Sequence, residues 1–254
     1  MVPGAQAVAR AMGLLKAFSD SRPEWRLSDL ARAARLHKAT AHRLLAALER
    51  EGMVARDATG ELYRLGPEAI ALGARAARAT DLRATSRAEL EQLAAGTGET
   101  ATLEVLVGGD MLILDEVPGR ALIGASPELG SRWPAHATST GKAVLAQLSD
   151  TERKAALGGR LSRCTERTST TLPSLKRELA RVQRLGYATA VEELERGYTA
   201  VGAAIHDHEG RALAAVSVGG PSQRFPAARI ATLGRQVRGA AARISDALGH
   251  REPR

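Results

Sequence analysis

Residues 27–51 read LSDLARAARLHKATAHRLLAALERE, two runs of helical period separated by a short break at Leu36-His37-Lys38. In the first run Ser28 stands before Asp29, an N-cap followed by an acid in the opening turn, and Leu27, Leu30, Ala31 and Ala34 recur on one face. In the second, Ala41, Leu44, Leu45 and Leu48 make an apolar stripe, which leaves Lys38, Ala39, Thr40, His42, Arg43 and Ala46 on or near the opposite side. Small, basic and hydroxyl-bearing residues at a helix start suit a recognition helix, whose first turns must reach base edges while approaching the groove floor closely. The stretch therefore predicts a helix-turn-helix that reads DNA. A plain helical hairpin with a solvated basic face shares the same local periodicity, so the flanking sequence has to decide.

The downstream flank favours the DNA reader. Gly52 ends the second helix, residues 53–56 alternate as a strand does, residues 57–60 (DATG) form a turn, and residues 61–65 alternate again. This is the hairpin of a winged helix-turn-helix, and it makes Arg56 and Arg64 candidate phosphate or minor-groove contacts, which join Ser28, Lys38, Ala39, Thr40, His42 and Arg43 as the candidate DNA-binding set. Upstream, Val8, Met12, Leu15 and Phe18 form the stripe of a helix expected to complete the small core, and residues 20–23 end it. Residues 1–78 hold 13 Lys and Arg against 8 Asp and Glu, and the remaining 176 hold 23 against 20. The basic excess is thus concentrated around the helix-turn-helix, as a polyanion partner requires.

The whole chain, 254 residues at +8 with a sequence pI near 10.3, is long enough for two domains. Aromatic residues make up only 3%, so alanine, leucine and valine must build the core. A single cysteine, Cys164, excludes an internal disulfide framework and, with no secretory signal in the opening residues, points to the cytoplasm. No apolar run is long enough to span a bilayer, and no basic amphipathic helix suits a membrane surface.

The domain boundary is expected near Leu65-Gly66-Pro67. Residues 68–78 then read as a linker helix with proline at its start. A helix over 82–95, strands over 100–107 and 111–117, helices over 142–148 and 172–185, a strand pair over 201–206 and 212–218, and a closing helix over 229–248 complete the pattern. Strands joined by hairpin turns with helices interspersed predict an α+β domain with an antiparallel sheet. The resulting division is 1–66, 67–79 and 80–254.

In order, the segments KATAHRLLAALEREGMVARD, YRLG (63–66), LAAGTGETATLEVL (93–106), PAHATSTGKAVLA (134–146), TLPSLKRELARVQRLGYA, the acid pair Glu192-Glu193, GAAIHDHEGRALAAVSVGGP (202–221) and ISDALG resemble the IclR family of transcriptional regulators. The resemblance covers nearly the whole chain. It implies a winged helix-turn-helix, a linker helix and a GAF-like effector-binding domain, in a homodimer or dimer of dimers that represses or activates under control of a small organic acid. It implies no cofactor. Family-like lining positions are Ser139 and Thr140 in the HAT-x-x-GKA loop, and Leu122, Ala125, Trp133, Ala190, Tyr198, Ala200, Ser217 and Gly219 elsewhere. The loop 136–141 leads into a helix expected near Lys142, whose backbone N–H groups would suit a carboxylate; alternatively, Ser139 and Thr140 cap that helix.

Ala190, Ala200 and Gly219 stand where members binding small oxo-acids tend to have an acid, a cysteine and a serine. A roomier, more apolar cavity is therefore expected, suited to an aromatic or medium-length carboxylate. At the DNA face Ala39 replaces the family's usual serine, shifting recognition onto Thr40 and Arg43. Among rival readings, Ser139-Thr140-Gly141-Lys142 fits the S-x-x-K motif of acyl-transferring enzymes, but the companion motifs K-T-G and S-D-N are absent. His206 and His208 stand at i, i+2 beside Asp207 and Glu209, and no Cys or His cluster offers zinc spacing, so no metal site is expected. A ligand-independent DNA-binding protein would leave the C-terminal 176 residues without a role.

Overall fold

The computed structural model describes residues 5–19, 21–57, 59–78, 81–120, 129–159 and 161–251. Two of the expected lining residues, Leu122 and Ala125, lie outside them. The chain divides into two compact units, 1–79 and 80–254.

The first unit opens with α1 (Ala5–Leu15), then β1 (Trp25–Arg26), α2 (Leu27–Ala33) and α3 (Lys38–Arg50), a hairpin of β2 (Val54–Arg56) and β3 (Leu62–Leu65), and α4 (Pro67–Arg78). Its core is Leu14, Trp25, Leu30, Ala31, Ala41, Leu45, Val54 and Tyr63. The expected stripe of α1 holds only at its C-terminal end. Leu14 is fully buried, whereas Val8 and Met12 are 65% and 46% exposed. Only the last turn of α1 and the residues after it reach the core, with Leu15 and Phe18 partly buried against it.

Ser28 is not the N-cap of α2. Strand β1 runs straight into the helix, so Arg26 takes the cap position without a side-chain bond and Ser28 is the exposed second helical residue. The turn to α3 is made by Arg35, a non-glycine at φ 54°. Its left-handed backbone lets the Leu36 N–H reach back to the Ala31 carbonyl at 2.8 Å and closes the end of α2. In the hairpin, Val54, Ala55 and Arg56 pair with Leu65, Arg64 and Tyr63. The Asp57 carboxylate accepts the N–H groups of Glu61 and Leu62 and fixes the turn. Strand β1, which the periodicity does not announce in two residues, pairs with β3 through Trp25 to Tyr63 and Arg26 to Leu62.

In the second unit α5 (Asp81–Thr97) is followed by β4 (Thr100–Val107), β5 (Asp110–Val117), β6 (Arg132–Pro134), α6 (Ser139–Leu145), α7 (Asp150–Leu157), α8 (Leu172–Leu185), β7 (Ala188–Val191), β8 (Tyr198–His206), β9 (Ala212–Pro221) and α9 (Ala227–Ala247). Six antiparallel strands run in the order β6-β5-β4-β9-β8-β7. Because strand side chains alternate, each strand feeds two layers. Ala101, Leu103, Val201, Ala203, Val216 and Val218 pack with α5 and α9 on one face. Met111, Ala188 and Ala215 pack with α6 and α8 on the other. A buried Glu99, paired with Arg224 and Arg229, ties the start of β4 to the turn after β9 and to α9. No described helix is long and apolar enough to cross a membrane.

Candidate functional site

On α3 the buried residues are Ala41 and Leu45, one turn apart, and the face away from them presents Lys38, Ala39, His42 and Arg43 to solvent, with Thr40 half-buried at its edge. His42 thus points outward and does not pack beneath α2. Of the wing arginines, Arg64 is exposed. Arg56 is engaged within the unit, since its guanidinium pairs with Glu49 at 3.2 Å and lies 5.0 Å over the Tyr63 ring. That ties the wing to the end of α3.

The second set of residues gathers on the α6 face of the six-stranded sheet. Register places Ala190, Ala200 and Gly219 side by side across β7, β8 and β9, and the next row runs Ala188, Gly202, Ser217 and Thr102. Trp133, half-buried on the edge strand β6, pairs with Met111 of the same layer. The start of α6 presses onto this face. A Cβ added at Gly202 would lie 3.0 Å from the Ser139 carbonyl carbon and the Thr140 nitrogen, so glycine there is what lets helix and strand approach.

Two expectations about this face change. Helix α6 begins at Ser139 rather than near Lys142, and its cap is Thr138, whose hydroxyl accepts the Gly141 N–H at 3.0 Å. That N–H is withdrawn from any ligand. Nor is the face simply roomier and more apolar: a Cβ at Gly219 would overlap the Tyr198 phenol oxygen and lie 2.7 Å from its Cζ, so the Tyr198 ring fills the space the missing side chain leaves.

The residue that sequence reasoning missed is Glu104. It alternates with Thr102 on β4 and is buried, its Oε2 accepting from Thr140 Oγ1 at 2.7 Å and its Oε1 from Thr102 Oγ1 at 2.8 Å. Thr102 is in turn 2.8 Å from Ser217 Oγ. Burial pushes the Glu104 carboxyl above its usual range, partly offset by the two hydroxyl bonds. The Tyr198 phenol is also pushed up, first by burial and then by neighbouring carboxylates, Glu104 foremost, so it keeps its proton. The available signal was the acid in TATLEVL, at a spacing of two from Thr102 in a strand buried on both sides.

Lys142 is buried as well, and its ammonium donates to Glu178 at 3.0 Å and to both Glu193 oxygens at 2.7 and 2.8 Å. With its amine taken up by two carboxylates, Lys142 makes no bond to Ser139 among the described residues, and the S-x-x-K reading lacks the lysine–serine pair it needs. Among the described residues no group of three or more His, Cys, Asp and Glu could hold a metal ion.

Two family models match the chain: the IclR helix-turn-helix domain over residues 7–58 and the bacterial transcriptional regulator IclR C-terminal domain over residues 74–246. The chain is 30% identical over 250 residues to the HTH-type transcriptional regulator XynR of Escherichia coli, covering 98% of this chain and 99% of that protein. It is 32% identical over 249 residues to the acetate operon repressor of Salmonella typhimurium, covering 96% and 90%. Among solved structures it is similar to an IclR homologue from Microbacterium hydrocarbonoxydans complexed with 4-hydroxybenzoate, with a TM-score of 0.82, 28% identity and coverage of 95% and 98%. It is also similar to a regulator from Alicyclobacillus acidocaldarius, with a TM-score of 0.84, 27% identity and coverage of 98% and 100%. These matches run through both units and both candidate surfaces, and the chain belongs to the IclR family of bacterial transcriptional regulators.

Proposed function

We propose that the chain binds operator DNA as a homodimer or dimer of dimers, and that a small organic acid seated on the α6 face of the six-stranded sheet sets its affinity for DNA. The observation that carries the effector reading is convergence: Thr140, Ser217, Tyr198, Ala190, Ala200 and Gly219, far apart in sequence, share one face with a buried polar patch. The 4-hydroxybenzoate complex of a similar protein supports an aromatic carboxylate as the class. In this reading Lys38, Thr40, His42 and Arg43 meet the major groove and Arg64 the backbone, while Arg56 chiefly braces the wing.

The functional division is 1–66 for DNA, 67–79 as linker helix and 80–254 for the effector. Large apolar side chains turned to solvent support the assembly: Val8 and Met12 on α1, and Ile70 and Leu72, 74% and 46% exposed, on α4. A second copy is the partner such surfaces fit. Regulation requires the effector to bind the DNA-competent and DNA-incompetent states unequally, with α4 as the element that relays the difference. The test is a gel-shift titration on the promoter beside the chain's own gene, with and without a panel of aromatic and aliphatic carboxylates. DNA binding that no compound alters would refute effector control.

A further inference from the structure

We propose that Glu104 is a specificity-determining residue of the effector site: it selects a ligand that presents a hydrogen-bond donor, a hydroxyl or an amine, to this part of the face and rejects one that presents a carboxylate there. The inference rests on the effector reading and fixes which end of the ligand meets Glu104.

Three observations carry it. First, Glu104 is buried with no Lys, Arg or His ion-paired to it among the described residues, and in register it sits between apolar Ala215 and Ile113. A carboxylate removed from water without a cation is costly unless donors replace the lost hydration. Second, its donors are neutral hydroxyls arranged in one direction. Thr140 donates to one oxygen and Thr102 to the other, so the Thr102–Ser217 bond must be donated by Ser217. A carboxylate offers about four lone-pair positions, and these two hydroxyls occupy half of them.

Third, the Thr140 hydroxyl that holds Glu104 belongs to the start of α6, where resemblance alone would place the ligand's acid group. Once Glu104 is ionised, at a pH above its raised range, an anion about 5 Å away at an effective dielectric of about 20 is repelled strongly enough to weaken binding by roughly two orders of magnitude. A donor in the same place meets a charged acceptor, an interaction worth about ten- to a hundredfold in affinity. The ligand's acid group is therefore directed away from Glu104 and its donor toward it.

Calorimetric titration of the full-length protein with benzoate, 4-hydroxybenzoate and 4-hydroxybenzyl alcohol tests this. Unaltered protein should bind 4-hydroxybenzoate at least tenfold more tightly than benzoate and should also bind the neutral alcohol. Glu104→Gln, which keeps the shape and removes the charge, should narrow that gap by weakening both hydroxyl compounds and tightening benzoate. A gap that is unchanged in Glu104→Gln overturns the proposal, as does equal or tighter binding of benzoate by unaltered protein, which needs no variant to fold. Binding of none of the three by a preparation that shifts operator DNA overturns the aromatic-acid effector reading itself.

Discussion

Replacing Gly219 with serine puts back the side chain that oxo-acid-binding members tend to carry, at a position where this chain has already given the space to Tyr198. The added Cβ would overlap the phenol oxygen and sit 2.7 Å from Cζ, with Cε1 at 3.2 Å, so the ring must move as a whole. Forcing atoms into a packed site costs about 1–3 kcal/mol. For a unit of this size each kcal/mol moves the melting temperature by about 2–4 °C, so Gly219→Ser should lower it by about 2–12 °C. The cause is isolated by a double-mutant cycle with Tyr198→Ala, read by scanning calorimetry. Without the ring the serine has room, and its cost should fall to within about 0.5 kcal/mol of zero, a coupling of about 1–3 kcal/mol between the two sites. If Gly219→Ser costs the same with and without Tyr198, the ring does not occupy the space and the account of this face is wrong.

Arg43→Ala should weaken operator binding by about 1–3 kcal/mol and relax preference at one base position; unchanged affinity in a gel shift removes Arg43 from the interface. Lys142→Met leaves Glu193, 12% exposed at its side chain, facing Glu178 without a cation, and should destabilise the second unit by about 3–5 kcal/mol; a melting temperature equal to that of the parent would show that the pair stabilises nothing. Glu104 and Glu193 are both raised above the ordinary carboxylate value of 4.5, chiefly by burial, so the folded chain keeps protons that the unfolded chain has released. Stability should therefore fall as pH rises from about 4.5 through the raised folded values, and Glu104→Gln should flatten the fall; parallel melting profiles from pH 4 to 8 would exclude Glu104 as a source.

The parts of this protein legible in sequence are those where one local rule acts alone. The α3 stripe of Ala41 and Leu45 and the strand over 100–107 follow from period and alternation. Where tertiary pairing competes with a local rule, the reading fails. Ser28 resembles an N-cap, yet β1 pairing with β3 carries the backbone into the helix before Ser28 is reached. Val8 and Met12 share the helical period of Leu15, yet only Leu14 and the residues after it are near enough to α2 and α3 to be buried. The candidate ligand face shows the same limit. Its small residues were visible, but that Tyr198 folds over Gly219 depends on strand register, and Glu104 is conspicuous only once Thr140, thirty-six residues on, is seen to point at it.

Strand β1 is only two residues long, yet by pairing with β3 it joins the entrance of α2 to the middle of the wing, while Arg56 fastens the other wing strand to the end of α3. The wing is held at both edges like the jaw of a caliper set to a fixed gap. A reading head of fixed span should leave the accommodation to the DNA, so operators whose grooves resist reshaping to that span are expected to bind more weakly even where every contacted base is right.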